Sequence, residues 1–210
     1  MIATERLARI AAASLMPSLI EIYLELYDSS DDVEPVYDSI ERLVESIGDP
    51  AIPVLLRSLL DEDPRVRAAA IDMLRMLGPT ADLRVLRGLR AILMIEQNEM
   101  VYDAAVWTLA AVGDRKALPM LLEHVHEPRY ARAVVAALGR LRDRTTLPLL
   151  ARMLSERPHT VSVGDVMRAL ERFDTAEAQL LIDGWLRSDA GQDYIEERVD
   201  MAMQALLLLE

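Results

Sequence analysis

Imidazoles, the side chains best suited to acid–base or metal chemistry near neutral pH, are few in this 210-residue chain, and two of the three fall together. There are three histidines, His124, His126 and His159, and no cysteine. Without cysteine, thiolate nucleophiles, disulfides and Cys-ligated zinc or iron–sulfur centres are excluded. Glu123, His124, His126 and Glu127 lie close together, and mixed imidazole–carboxylate sets suit Zn or Fe. Their setting points to a plainer role. The group closes an apolar-periodic segment, where a histidine can meet the exposed carbonyls of a last helical turn. Serine, threonine and carboxylates are plentiful, but none stands in a nucleophile elbow or a phosphate loop. The glycines mostly punctuate segment ends. The expectation is a non-catalytic chain with no metal and no cofactor.

Other residues have types suited to binding rather than reaction, and their meaning depends on the helices that carry them. The template is Gly48–Gly78. Asp49 is placed to cap a first helix, Pro53 fits its first turn, and Val54, Leu55, Ser58 and Leu59 form an apolar stripe. After the polar run Asp61–Asp63, Pro64 opens a second helix. Its apolar stripe is Val66, Ala69, Ala70, Met73, Leu74 and Leu77, closed by Gly78. These are helices A and B of a hairpin too small to bury its own faces, so copies must stack on it. Copies are present: Val101, Ala104, Ala105, Leu109, Val112 and Gly113 lie 35 positions after Val66, Ala69, Ala70, Leu74, Leu77 and Gly78.

The spacing predicts one all-α domain over residues 1–210: a cap helix at 1–13, then repeats at 14–48, 48–78, 78–113, 113–141, 142–173 and 174–210. In repeat one, Pro17, Leu19, Ile20, Tyr23 and Leu24 read as helix A, Asp28–Asp32 as a polar break, and Pro35 opens helix B. In repeat three, Arg84, Arg87 and Arg90 recur on one solvated face of helix A. Pro128 opens helix B of repeat four, and Pro158 breaks repeat five. Repeat six carries Leu180, Leu181 and Trp185 on helix A, and Val199, Ala202, Met203 and Leu206 on helix B. Its apolar close, Leu206–Leu209, suggests a cap or a homodimer contact.

Charge separates the classes of partner. The net charge is −12, which disfavours nucleic acid. Residues 1–63 carry −10, 64–158 carry +5 and 159–210 carry −7, and Lys116 is the only lysine. No segment is apolar for the roughly 18 residues that a bilayer span needs. Ile10–Ile20 has some leader-like character, but Glu5 and Glu21 flank it and it fits the helix A pattern. A cytoplasmic, acidic protein is expected.

Asp49, Pro53, Leu55, Asp63, Pro64, Val66, Arg67, Ala69, Ala70, Leu74 and Gly78 give the template its pattern. That pattern resembles HEAT repeats, in particular the short bacterial repeats of the bilin-lyase type. The resemblance implies an armadillo-like α-solenoid of about six hairpins, with B helices lining the concave side. It also implies that Arg67 is a ladder arginine, hydrogen-bonded to loops of adjacent repeats. Deoxyhypusine hydroxylase is a HEAT protein with several His-Glu pairs at a di-iron site, but only His126-Glu127 matches here. HEAT-like DNA glycosylases need a basic groove, which the acidic ends oppose.

Function is therefore sought off the core stripe of the B helices. Opposite Val66 stand Arg65, Ala68, Asp72 and Arg75, and the corresponding face of repeat three holds Met100, Asp103 and Trp107. Exposed tryptophan beside arginine is the composition of a binding hot spot. The expected partner-binding residues are Trp107, Tyr102, Asp103, Arg65, Arg129, Arg132 and Arg168, in a protein–protein interaction scaffold. Alternatives are a bilin lyase or chromophore-handling subunit, and a regulatory or immunity subunit that blocks an enzyme.

Overall fold

Alternating apolar stripes separated by capping residues produce helices and nothing else among the described residues. The structure, a computed structural model, describes residues 2–27, 34–78, 82–157 and 159–207. Asp28–Asp32, Pro79, Pro158, Leu208 and Leu209 lie outside them, as does the side chain of Leu206. The chain forms two compact units, Met1–His124 and Val125–Glu210.

In the first unit, α1 (Ile2–Ala13) packs on α3 (Glu34–Ile47) and on the turn Asp49–Ala51. Four A helices follow: α2 (Met16–Tyr27), α4 (Ile52–Ser58), α6 (Leu83–Ile95) and α8 (Leu118–His124). The B helices are α3 (Glu34–Ile47), α5 (Pro64–Met76) and α7 (Glu99–Ala111). A helices contact A helices (α4 with α6, α6 with α8) and B helices contact B helices (α3 with α5, α5 with α7). Each hairpin is closed by its own A–B contact, α4 with α5 and α6 with α7. The caps follow the sequence at Asp63, which accepts from the Arg65 N–H, and at Asn98, which accepts from Val101. Asp49 does not cap helix A by its side chain; it begins a short 3₁₀ turn in front of α4.

The second unit holds α9 (Ala131–Leu141), α10 (Leu147–Glu156), α11 (Val163–Glu171), α12 (Ala176–Leu186) and α13 (Asp189–Leu207). Here α9 packs on α11, and α10 on both α11 and α12. Helix α9 begins three residues after Pro128, behind a turn. Repeat six departs from expectation in phase. Ala178, Ile182 and Trp185 are buried on α12, whereas Leu180 is 71% exposed, and Val199 and Met203 of α13 are exposed.

Ion pairs join successive hairpins of the first unit. Arg67 donates from Nη1 to the carbonyls of Asp61 (2.8 Å) and Glu62 (3.1 Å) in its own loop. Its Nε and Nη2 grip the Glu96 carboxylate of the next repeat at 2.8 and 2.9 Å. Burial opposes ionisation of Glu96, but hydrogen bonds from Arg67 and from the Asn98 and Gln97 N–H groups outweigh it and hold the carboxyl below its ordinary value. Arg90 similarly lies 3.2 Å from Asp114 at the start of the following repeat. Arg67 thus bridges adjacent repeats as the ladder reading expected, while Arg90 is not on a solvated face.

Candidate functional site

Within the first unit α7 is covered by its hairpin partner α6 and by the neighbouring B helix α5, which bury most of its middle. Along residues 101–110 of α7 the only side chains that are not buried are Asp103, Ala104 and, one helical turn on, Trp107. Trp107 is 46% exposed. On α5 the nearest accessible positions are Asp72 and Arg75, and the five residues line an open cleft of about 310 Å³.

The cleft's charged wall is held in place from α2. Tyr23 donates from its hydroxyl to Asp72 Oδ2 at 3.1 Å, and Arg75 donates to Asp72 Oδ1 at 3.4 Å. Burial and the adjacent Asp72 carboxylate push the Tyr23 phenol well above its ordinary value, so it stays a donor. Its ring also meets Tyr37 edge-on, with centroids 5.2 Å apart.

Tyr102 is a correction. Its side chain is fully buried, and its hydroxyl sits 2.8 Å from His124 Nδ1, with the rings in edge contact. It holds α7 to the end of α8 and is not available to a partner. His124 Nδ1 accordingly meets a phenol. Ala68, read as facing out, is buried as well. Arg65 is exposed but folds back on its own cap, 3.0 Å from Asp63.

In the second unit, Arg129 stands over the Tyr130 ring at 5.2 Å, at the start of α9. Arg132 and Arg168 converge on Asp165, which the sequence reading had overlooked. Arg168 donates to Asp165 Oδ1 at 2.5 Å, Arg132 Nε lies 4.0 Å from the same oxygen, and the Ser162 hydroxyl donates to Oδ2 at 2.6 Å. Burial raises the Asp165 carboxyl, but Ser162 and the two arginines hold it below its ordinary value. The Ser162-x-x-Asp165 spacing of a capping box was the available signal. Several arginines of the middle segment are thus paired: Glu96, Asp114, Asp82 and Asp72 each hold one, and Asp165 lies 4.0 Å from Arg132. Among the described residues, no three His, Asp or Glu side chains gather as a metal-ligand set.

The hairpin stack and the inter-repeat arginine agree with a comparison against protein families, in which the model for HEAT repeats matches residues 16–92 and 86–171. The chain belongs to the HEAT-repeat family. These HEAT repeats are also similar to the phycobilisome maturation protein of Synechococcus elongatus, with 30% identity over 121 residues, 55% of each chain. The chain therefore spans about half the length of that curated relative. No helix among the described residues is long and apolar enough to cross a membrane.

Proposed function

We propose that this HEAT-repeat chain is a non-catalytic scaffold whose B-helix surface docks a partner protein, with Trp107 as the anchor. The observation that carries the reading is a tryptophan left 46% exposed at a cleft between two B helices, on a stretch of α7, residues 101–110, where every other side chain but Asp103 and Ala104 is buried. Large aromatic side chains in such clefts dominate interface energetics, with losses of about 2 kcal/mol or more on truncation. Within the same unit, Arg65 and Asp103 are assigned supporting, rim-type contacts, which typically contribute less, while Arg129, Arg132 and Arg168 are assigned to a separate contact made by the second unit. The test is affinity capture from the native organism with wild-type and Trp107→Ala chains, checking by circular dichroism that both are folded. A specific partner recovered with the wild type should fall at least tenfold with the variant. Equal recovery of every captured protein would refute the assignment.

A second reading is favoured by the similarity to a phycobilisome maturation protein: handling of an open-chain tetrapyrrole chromophore. Adding bilin to the purified chain should then shift and sharpen its visible absorbance. An unchanged spectrum at saturating protein would end that reading.

A further inference from the structure

In the second unit, α9 and α11 concentrate cations in a chain whose net charge is −12: residues 128–142 and 162–172 hold six arginines against two acids. The two helices pack with Gly139 against the Ala169 backbone, and charged groups meet across that seam at both ends. Near the helix starts, Arg132 Nε lies 4.0 Å from Asp165 Oδ1, the oxygen that also accepts from Arg168. Near the helix ends, the Arg172 charge acts on half-buried Arg140 and, together with burial, holds that guanidinium below its ordinary value. Of the two acids, Glu171 lines a cleft on the α12 side, with Asp174 and Gln179. Asp165 is left between two arginines. Its Oδ2 accepts from the Ser162 hydroxyl, so it does not hold both guanidiniums as two-oxygen forks. The side chains of Arg132 and Arg168 stay 82% and 63% exposed, and one shared oxygen engages few of the donors a guanidinium presents.

This seam selects by charge. A cationic group would meet like charge here, and an aliphatic one finds only half-exposed Ala133 and Ala136 between the arginines. A carboxylate gains fork-shaped hydrogen bonds as well as Coulomb attraction. The spacing suits a peptide: Arg168 and Arg172 are about 6 Å apart along the helix axis. Alternate residues of an extended chain recur at about the same interval, roughly 7 Å. A long polyanion fits less well. Helix α13 passes the start of α11 with the Tyr194 hydroxyl beside Gly164, and it carries Asp193, Glu196 and Glu197 next to that tyrosine. Nucleic acid running past the seam would meet those carboxylates, whereas a short acidic segment ends before them.

We propose that the α9–α11 seam receives an acidic segment of the partner protein, in extended form, with its carboxylates bound by Arg132 and Arg168 at one end and by Arg172 at the other. The proposal rests on the contact assigned above to the second unit and gives it a chemistry. It is tested on the full chain with uniform ¹⁵N labelling, following the backbone amide signals of α9 and α11 during titration with acetyl-Glu-Ala-Glu-Ala-Glu-amide. The matching glutamine and lysine peptides, and a thymidine oligomer of equal charge, run in parallel. The glutamate peptide should shift the signals around Arg132, Arg168 and Arg172 saturably, with binding that weakens as salt is raised. Arg132→Gln combined with Arg172→Gln should weaken it about tenfold. Arg152→Gln removes an exposed arginine beside Glu156 on α10 and should hold binding within about twofold. If the glutamine or lysine peptide binds as well as the glutamate peptide, or Arg152→Gln weakens binding as much as the double variant, the seam assignment is overturned. Tighter binding of the oligomer overturns the choice of a protein segment. If no peptide moves the α9 and α11 signals, the inference also fails, and partner capture with the double variant decides the second-unit contact separately.

Discussion

Glycine 139 offers the sharpest test of how tightly the hairpins of the second unit are packed, because two ordinary rules give opposite signs there. It lies in α9 against α11, and a methyl group added to it would stand 2.7 Å from both the Cα and the carbonyl oxygen of Ala169, and 3.0 Å from its Cβ. Comfortable carbon–carbon contact is about 3.5–4.0 Å, so the two helices must separate by about 1 Å, since backbone atoms cannot swing aside. Val135, Leu138, Val166 and Leu170, all buried in this unit, would lose part of their contacts. Overpacking of this kind costs about 1–3 kcal/mol, and backbone involvement places it at the upper end. Helix propensity works the other way, favouring alanine by about 1 kcal/mol. Gly139→Ala should therefore destabilise by about 2 kcal/mol. The measurement is urea unfolding followed by Trp185 fluorescence in a Trp107→Phe background, so that the signal reports the second unit. Gly184 in α12 is the control, because a methyl there meets nothing within 4 Å. Gly184→Ala should raise stability by about 0.5–1 kcal/mol. If Gly139→Ala matched it in sign, the close-packing reasoning would be wrong.

Two further substitutions test the loops. Glu96 is held below its ordinary value of 4.5, so its contribution is fully present above that pH and is lost as pH falls through the folded-state value. Glu96→Gln should cost about 2 kcal/mol at pH 7, with the gap to wild type closing toward pH 3 in urea midpoints; a gap that does not change with pH would sink the assignment. Arg142 ends α9 in the left-handed region at φ 50°, ψ 37°, where the first unit places Gly78 and Gly113 at the ends of repeats two and three. Arg142→Gly should raise the thermal midpoint by relieving about 1 kcal/mol of strain, less a few tenths for the looser unfolded chain; a lowered midpoint would show that the arginine side chain matters more.

Much of the fold was legible because it is written locally. Leu83–Ile95 has the boundaries its apolar period gives, and Asp63-Pro64 opens α5 by cap and ring geometry that need only neighbouring residues. The site was less legible, because accessibility in a stack is set by residues far along the chain. A helical wheel with one buried face puts Tyr102 and Ala68 near solvent, yet both are buried, Tyr102 against His124 of α8, and of residues 101–110 only Asp103, Ala104 and Trp107 stay accessible. The arginines misled for the same reason. Arg90, spaced like the solvated Arg84 and Arg87, meets Asp114 of the following repeat, and no local spacing announces that. On α12, two adjacent leucines suggested the stripe, but the phase is set one position on by Ile182.

The cross-repeat pairs Arg67–Glu96 and Arg90–Asp114 also bear on how such an array can change over generations. In both pairs a hairpin hands a cation to an anion carried by its successor, so these adjacent units are matched like consecutive words rather than identical beads. A foreign hairpin spliced between them would strand a half-buried guanidinium or carboxylate, a mismatch that typically costs about 3–5 kcal/mol. Duplication of a segment that carries both halves of its pair avoids that mismatch. The number of units can grow that way, while their order is far harder to shuffle.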